Sequence, residues 1–275
     1  MADLTFNIDD LPVPFKPGQT ILEAAKAAGV FIPHLCHHPD LRPHGGCKLC
    51  TVVVNGRTHA ACTFKAAAGQ EVDIDTPELN AMRRSLVQLL FIEGNHFCPT
   101  CEKTGNCELQ ALGYEYEMLS PHFAEFYPAD REVDASHPDV LIDRNRCIMC
   151  ERCVRASQDI DKKNVFGIAG RGGRAKLVIN SPTGKLVDSD FAVTDKAAAI
   201  CPVGAIIVSA SATPRRSANA LTTVTRSATR PMSARSRRAP SERQRQRQRQ
   251  GADKSPARHH LAGRLLRLSH VVSRH

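Results

Sequence analysis

The 275 residues carry a formal net charge of +9, but the charge is distributed very unevenly along the chain. Residues 1–208 contain 21 Lys and Arg against 26 Asp and Glu, whereas residues 209–275 contain 16 basic and 2 acidic side chains. All 11 cysteines also lie in the first 208 residues, so the fold and the chemistry are expected there. The acidic balance of this part favours docking to protein partners over binding to nucleic acid.

The first residues and the hydropathy pattern argue against export and against membrane insertion. Residues 1–6 have neither the basic region nor the apolar region of a secretory signal, and no apolar run reaches the length of a membrane span. We therefore expect a cytoplasmic protein with no membrane partner. In a reducing compartment, so many cysteines are better explained as metal ligands or redox thiols than as disulfides.

The cysteines fall into three groups. These groups contain four, three and four cysteines, which suggests three sites, with one ligand of the middle site still to be found. The first group is Cys36, Cys47, Cys50 and Cys62; the second is Cys98, Cys101 and Cys107; the third is Cys147, Cys150, Cys153 and Cys201.

Local signals predict a small α+β unit around the first group, because a capping box, β-branched residues and an Asn-Gly turn follow one another at short intervals. The predicted elements are a strand at Leu4–Ile8, a helix that begins at the capping box of Thr20 and Glu23 and ends at Gly29, a strand at Thr51–Val54 and a hairpin turn at Asn55-Gly56.

Four thiolates in this loop-rich unit suit a [2Fe–2S] cluster, and Gly45-Gly46 lets backbone amides point at the sulfurs. Structural zinc is one alternative, since Cys47-x2-Cys50 is also a zinc half-site. A Rieske centre is another, since Cys36 and His38 form a Cys-x-His pair, although Cys50 stands where the second histidine should be. The nearby histidines are interpreted as polar loop residues rather than ligands: His34, His37, His38 and His44.

A helix is predicted between the first and second groups. Thr76 and Pro77 are typical of a helix N-terminus, an apolar stripe follows at helical spacing to about Glu93, and Gly94 ends it. The three cysteines of the second group follow at once and leave one corner of a [4Fe–4S] cluster open. His96 is the nearest residue able to fill that corner, with a capping or surface histidine as the alternative.

The third group has the most specific spacing. Cys147-x2-Cys150-x2-Cys153 is a ferredoxin signature for three corners of one [4Fe–4S] cluster. The position of a further cysteine in two-cluster ferredoxins is Ser157 here, which excludes a second cluster of that type. Cys201, followed by proline and preceded by a predicted short helix, supplies the remote fourth ligand.

The order of these motifs resembles the N-terminal part of the large electron-input subunit of respiratory NADH dehydrogenase. It resembles more closely the diaphorase small subunit of soluble NAD-reducing [NiFe] hydrogenases, over residues 1 to about 208. The matching stretches are Ile32–Cys36, Gly46–Cys50, Glu93–Gln110, Arg146–Arg155 and Ile200–Gly204.

This resemblance implies the ligands and cofactors of all three sites. The first group would hold one [2Fe–2S] cluster, His96 with the second group one [4Fe–4S] cluster, and the third group another [4Fe–4S] cluster. Respiratory relatives usually show His-x3-Cys, whereas His96-x-Cys98 matches the spacing of the hydrogenase branch.

The resemblance also implies a function and partners. No glycine-rich phosphate loop follows a predicted strand, and Gly167, Gly170, Gly172 and Gly173 are interpreted as a turn between short strands. We therefore expect a non-catalytic electron-relay subunit of an NAD-reducing hydrogenase, between a flavin- and NAD-binding diaphorase large subunit and the hydrogenase small and large subunits. The alternative is the equivalent subunit of an NAD-dependent formate dehydrogenase or another NADH-dehydrogenase-like complex.

The arginine-rich residues 209–275 are predicted to be disordered, because they bury too little apolar area to offset their ordering entropy. Arg-Gln repeats at 243–250 raise a distant alternative, a redox-sensing protein that binds nucleic acid. These residues have no interleaved aromatic side chains on which bases could stack, which argues against nucleic-acid binding. Our hypothesis is that the chain from about Ser209 is translated out of frame.

The expected fold class is α+β, with a ferredoxin-like β-grasp, a short helical cluster segment, a ferredoxin-type module and a basic tail. The predicted domains are residues 1–78 with [2Fe–2S], residues 79–118 with the His- and Cys-ligated [4Fe–4S], residues 138–208 with the second [4Fe–4S], and the tail at 209–275.

Overall fold

The structure, a computed structural model, describes residues 4–118, 123 and 131–209. The strands in these residues are β1 (Thr5–Ile8), β2 (Leu11–Pro14), β3 (Thr51–Val54), β4 (Arg57–Ala60), β5 (Glu71–Asp73), β6 (Val133–His137), β7 (Val140–Asp143), β8 (Phe166–Ala169), β9 (Lys176–Ile179) and β10 (Ile206–Val208). The α-helices are α1 (Ile21–Ala27), α2 (Pro77–Ile92), α3 (Glu108–Glu115), α4 (Arg152–Arg155) and α5 (Lys196–Ala199).

The N-terminal lobe is a five-stranded sheet with helix α1 packed against it. The strand order is β2-β1-β5-β3-β4, in which β1 and β5 are parallel and the other pairs are antiparallel. Ile21 and Leu22 of α1 share a buried core with Phe6, Val52 and Val72 of the sheet. Burial of this apolar face holds helix and sheet together. The predicted α+β class is confirmed.

The local signals of this lobe act as predicted. The Glu23 amide donates to Thr20 Oγ1 at 3.2 Å, and the Thr20 amide donates to Glu23 Oε2 at 2.7 Å, which completes the capping box. Asn55 and Gly56 have φ angles of +48° and +82° and form the two-residue turn between β3 and β4.

Helix α2 begins and ends where the sequence predicts. Thr76 Oγ1 accepts a hydrogen bond from the Leu79 amide at 3.2 Å, and Glu93 is the C-cap. The side chain of Arg83 is buried and ties the helix to the N-terminal lobe. It donates to the carbonyl oxygens of Leu49, Thr51 and Ile74 at 3.1, 2.7 and 2.6 Å.

The third part of the fold contains a three-stranded sheet of order β10-β7-β6 and the hairpin β8-β9. Three of the four glycines predicted to form a turn lie between β8 and β9, with Gly170 at φ +78°. The prediction was wrong for Gly167, which lies within β8 and pairs with Val178 of β9. Helix α4 continues into a π-helical turn at Ala156–Ile160. Ser157 is buried in this turn, and its Oγ accepts a hydrogen bond from the Val165 amide at 2.8 Å. It therefore has a structural role where two-cluster ferredoxins have a ligand.

A central core joins the parts of the molecule. Leu35 and Leu49 come from the N-terminal lobe, Val87 from α2, Leu112 from α3 and Val203 from the segment after Cys201, and all are buried together. Four partly buried cysteines pack against this core: Cys47, Cys107, Cys147 and Cys201.

The predicted basic tail lies outside the described residues apart from Ser209, whose amide donates to the Asp139 carbonyl at 2.8 Å. Across the described residues, no helix is both long enough and apolar enough to cross a membrane.

Candidate metal centres

The first cysteine group lies in three loops of the N-terminal lobe. Cys36 follows α1, Cys47 and Cys50 precede β3, and Cys62 follows β4. All are buried except Cys47, which is half-buried. Hydrogen-bonding contacts join the side chain of Cys36 to those of Cys47 and Cys62, and join Cys50 to Cys62. The fold therefore brings together the four cysteines that the sequence predicts.

The surroundings of Cys36 favour a thiolate. Its pKa lies well below the ordinary thiol value because the thiols of Cys47 and Cys62 donate to its sulfur, and the amides of Cys47 and Gly46 donate as well. Gly45 has φ +72°, which glycine adopts without strain and which helps the loop to turn its amides inward. Amide donors around anionic sulfur are typical of iron–sulfur sites, so these residues fit a cluster.

The second group lines one partly open cavity. His96 shares this cavity with Cys98, Cys101 and Cys107. Its Nε2 atom is buried and has no hydrogen-bond partner among the described residues. Burial, aided by the positive charge of Arg146, lowers the pKa of His96 to about 4. The imidazole is thus neutral at pH 7, the form that binds a metal, and the four residues fit a cluster.

Two glycines keep this cavity open. A Cβ atom at Gly94 would lie 2.8 Å from both the Asn145 carbonyl oxygen and His96 Nε2. A Cβ atom at Gly204 would lie 2.9 Å from Cys101 Sγ. Gly204 belongs to the segment that carries Cys201, so the second and third groups are in close contact.

The third group lines a cavity whose walls are mostly apolar. Burial raises the pKa of Cys147 to about 11 and raises those of Cys150 and Cys153 as well. Burying four thiolates here is unfavourable without compensating positive charge, which iron ions would supply. The fourth member, Cys201, lines the same cavity, as the sequence predicts.

Three arginines inside the third motif reach the other two groups, and the sequence did not indicate these contacts. Arg146 Nη1 lies 3.8 Å from Cys101 Sγ. Arg152 forms an ion pair with Glu108, the residue after Cys107, and the Glu108 amide donates to the Pro202 carbonyl at 2.9 Å. Arg155 bridges carbonyl groups of the first and third groups. The third group therefore contacts both of the others.

In the described part of the chain, no three His, Cys, Asp or Glu side chains converge closely enough to ligate a single metal ion. The second and third groups instead border cavities. The four loop histidines differ in their surroundings. His37 is buried, and His34 donates from Nδ1 to the Ile32 carbonyl oxygen at 2.7 Å. The rings of His38 and His44 each lie 3.8 Å from an acidic side chain.

The chain matches three protein families in succession. Residues 1–77 match the 2Fe-2S iron-sulfur cluster binding domain, and residues 83–122 match the NADH-ubiquinone oxidoreductase-G iron-sulfur binding region. Residues 137–207 match the ferredoxin-like domain of NADH-quinone oxidoreductase subunit 3.

Individual relatives match over the same part of the chain. The NAD-reducing hydrogenase HoxS subunit gamma of Cupriavidus necator is 38% identical over 205 residues, which are 74% of this chain and 86% of that relative. A chain in the crystal structure of NAD+-reducing [NiFe]-hydrogenase in the H2-reduced state is 50% identical, with a TM-score of 0.73 over 77% of this chain and 90% of that one. NADH dehydrogenase [ubiquinone] iron-sulfur protein 1 of Solanum tuberosum is 32% identical, but this chain covers only 27% of it.

Fold and sites together define the class: this is an iron–sulfur protein with a 2Fe–2S domain followed by 4Fe–4S-binding regions. Within that class, the chain belongs to the family of the gamma subunit of the NAD-reducing hydrogenase HoxS. The resemblance inferred from the cysteine motifs is thus confirmed.

Proposed function

We propose that this chain is the electron-relay subunit of a cytoplasmic NAD-reducing hydrogenase. It would connect a flavin- and NAD-binding diaphorase subunit to the small and large subunits of a [NiFe] hydrogenase. The similarity to the HoxS gamma subunit, which extends over 86% of that relative, supports this function. The wider similarity to NADH dehydrogenase subunits favours, as a second candidate, a relay subunit of another NADH-dehydrogenase-like complex.

The proposed cofactors are one [2Fe–2S] cluster and two [4Fe–4S] clusters, which accept and donate single electrons. The proposed domains are residues 1–78, 79–118 and 138–208, with 209–275 as a tail without a cluster. The proposed ligands are Cys36, Cys47, Cys50 and Cys62 for the first site, His96, Cys98, Cys101 and Cys107 for the second, and Cys147, Cys150, Cys153 and Cys201 for the third.

The residues of this chain would bind the clusters, exclude water and supply donors to the sulfurs. The single observation that carries the proposal is the contact of the third cysteine group with both others, through Arg155 on one side and the Glu108–Pro202 hydrogen bond on the other. A relay needs its sites close together. We propose that the sites act in the spatial order first, third, second, which differs from their order in the chain.

Metal analysis of anaerobically purified protein tests this function. About ten iron atoms per chain are expected from the three clusters, with little zinc. Stoichiometric zinc with little iron would refute the scheme. Co-purification with nickel-containing subunits would support the hydrogenase assignment, whereas a molybdenum-containing partner would overturn it in favour of a formate dehydrogenase.

A further inference from the structure

Arg155, the last residue of α4, contacts two of the three cysteine groups. Its guanidinium Nη2 donates to the Cys36 carbonyl at 2.5 Å and to the Cys150 carbonyl at 3.3 Å. Nη1 donates to the Arg42 carbonyl at 2.7 Å. Only 3% of the residue is exposed, so these bonds form away from bulk water. One side chain thus joins a loop of the N-terminal lobe to the third motif.

The guanidinium of Arg155 donates to no carboxylate among the described residues, and Glu151 acts on its charge only through space. All three acceptors are backbone carbonyl oxygens, which carry no formal charge. The Nε atom is buried and has no hydrogen-bond partner among the described residues. The Nε of the equally buried Arg152 also has no partner among the described residues, but its Nη1 and Nη2 are paired with both oxygens of Glu108. An unpaired buried charge is costly, and a negatively charged group bound beside it would offset part of that cost.

We propose that Arg155 is a positioning residue that links the first and third clusters and raises the reduction potentials of both. This proposal rests on the proposed function, since it requires clusters at both groups. Adding an electron makes a cluster more negative, and a fixed positive charge at short range in a low-dielectric interior favours that state. The two-sided hydrogen bonding also fixes the spacing of the two sites, on which electron transfer depends.

Three variants separate charge from packing. Arg155→Met removes the charge and the donors, Arg155→Gln removes the charge but keeps an amide donor, and Arg155→Lys keeps the charge on a single donor group. Arg144→Met is the matched control. Arg144 is also buried and donates to two backbone carbonyls, those of Leu177 and Glu132, but in the described part of the chain its guanidinium donates to no cysteine.

The measurement is an EPR-monitored redox titration that resolves each cluster, with iron content determined on the same samples. Arg155→Met and Arg155→Gln should lower the potentials of the first and third clusters. A tenfold shift in each redox equilibrium corresponds to about 59 mV for one electron. Arg155→Lys should remain closer to the unmodified protein, and Arg144→Met should leave the first cluster unchanged.

The outcomes distinguish failure of the proposed function from failure of the proposed role of Arg155. Unmodified protein without iron would overturn the proposed function. Iron-replete Arg155 variants with an unmoved [2Fe–2S] potential would overturn only the role of Arg155. If Arg155→Met does not retain its iron, the comparison of Arg155→Lys with Arg155→Gln decides: equal potentials in these two variants would exclude an effect of charge.

Discussion

The guanidinium of Arg152 and the carboxylate of Glu108 form a two-pronged ion pair, with both nitrogen–oxygen distances at 2.6 Å. The two side chains differ in environment, since that of Arg152 is 3% exposed and that of Glu108 is 47% exposed. The pair joins the third cysteine motif to the start of α3, directly after the second motif. It therefore connects two sites that are 44 residues apart in the sequence.

Glu108→Gln should destabilise the protein, because it leaves the buried Arg152 without a charged partner. We expect a loss of about 1–3 kcal/mol, less than for a fully buried pair because Glu108 is partly solvated. The corresponding fall in the apparent Tm is roughly 2–10 °C. Anaerobic thermal unfolding of the iron-loaded protein measures it.

The matched control is Glu132→Gln, which removes the acidic partner of Lys185 in an exposed ion pair. No measurable change is expected there, because solvent screens exposed charges. Equal unfolding temperatures for the two variants would show that the Arg152–Glu108 pair contributes no more than a surface contact.

Cys150→Ser should remove one [4Fe–4S] cluster and lower the iron content by about four atoms per chain. The part of the fold that carries the third cysteine group should also become less stable, because cluster binding contributes to the folding of so small a core. Iron analysis and EPR test this, and the signals of the other two clusters serve as the internal control. Full iron content with unchanged electron transfer would remove Cys150 from the proposed ligands.

His96→Cys should keep a cluster at the second site but lower its potential, because thiolate adds a negative charge beside the iron. The expected fall is roughly 100 mV, given that two histidines in place of two thiolates raise the potential of a [2Fe–2S] centre by roughly 250 mV or more. EPR redox titration of both proteins measures the difference.

His137→Cys is the control for this substitution. His137 lies in β6, and its ring packs against Phe191 rather than lining the second cavity. Its replacement should leave the potential of the second cluster unchanged. An unmoved potential in His96→Cys as well, with all clusters present, would assign the fourth position to another residue or to solvent.

Gly204→Ala should disturb the second cluster, although Gly204 follows Cys201 of the third. The added methyl group would lie 2.9 Å from Cys101 Sγ and 3.3 Å from Lys103 Cβ, so the cysteine must shift. We expect an altered EPR signal or partial loss of the second cluster. Gly173→Ala, with no atom within 4 Å of the new methyl group, is the neutral control. Identical spectra for the two variants would contradict the close packing of these segments.

The elements that could be predicted from sequence are those specified by neighbouring residues. The capping box of Thr20 and the turn at Asn55-Gly56 are local signals, and both are present in the structure. Strand β5 and helix α3 were not predicted. Strand β5 has only three residues and is defined by pairing with β1 and β3, from distant parts of the chain. The spacing of the cysteines likewise predicted which of them belong to each group. It did not predict how the three groups are arranged relative to one another.

The contacts of the arginines could not be predicted from sequence for the same reason. Arg146, Arg152 and Arg155 stand beside cysteines in the sequence, where they are indistinguishable from solvated charges. Their partners lie 45, 44 and up to 119 residues away. Only the folded chain brings these groups together, so the sequence supported the sites individually and could not predict the links between them.

The shared core described above makes the boundaries between sequence families differ from the boundaries of folding. Leu35 and Leu49 belong to the first family match but are completely buried against residues of the other two. An excised fragment that ended near residue 78 would expose them to water and lose the packing that supports Cys47. The described part of the chain should consequently mature as one cooperative unit, in which loss of any one cluster weakens the retention of its neighbours.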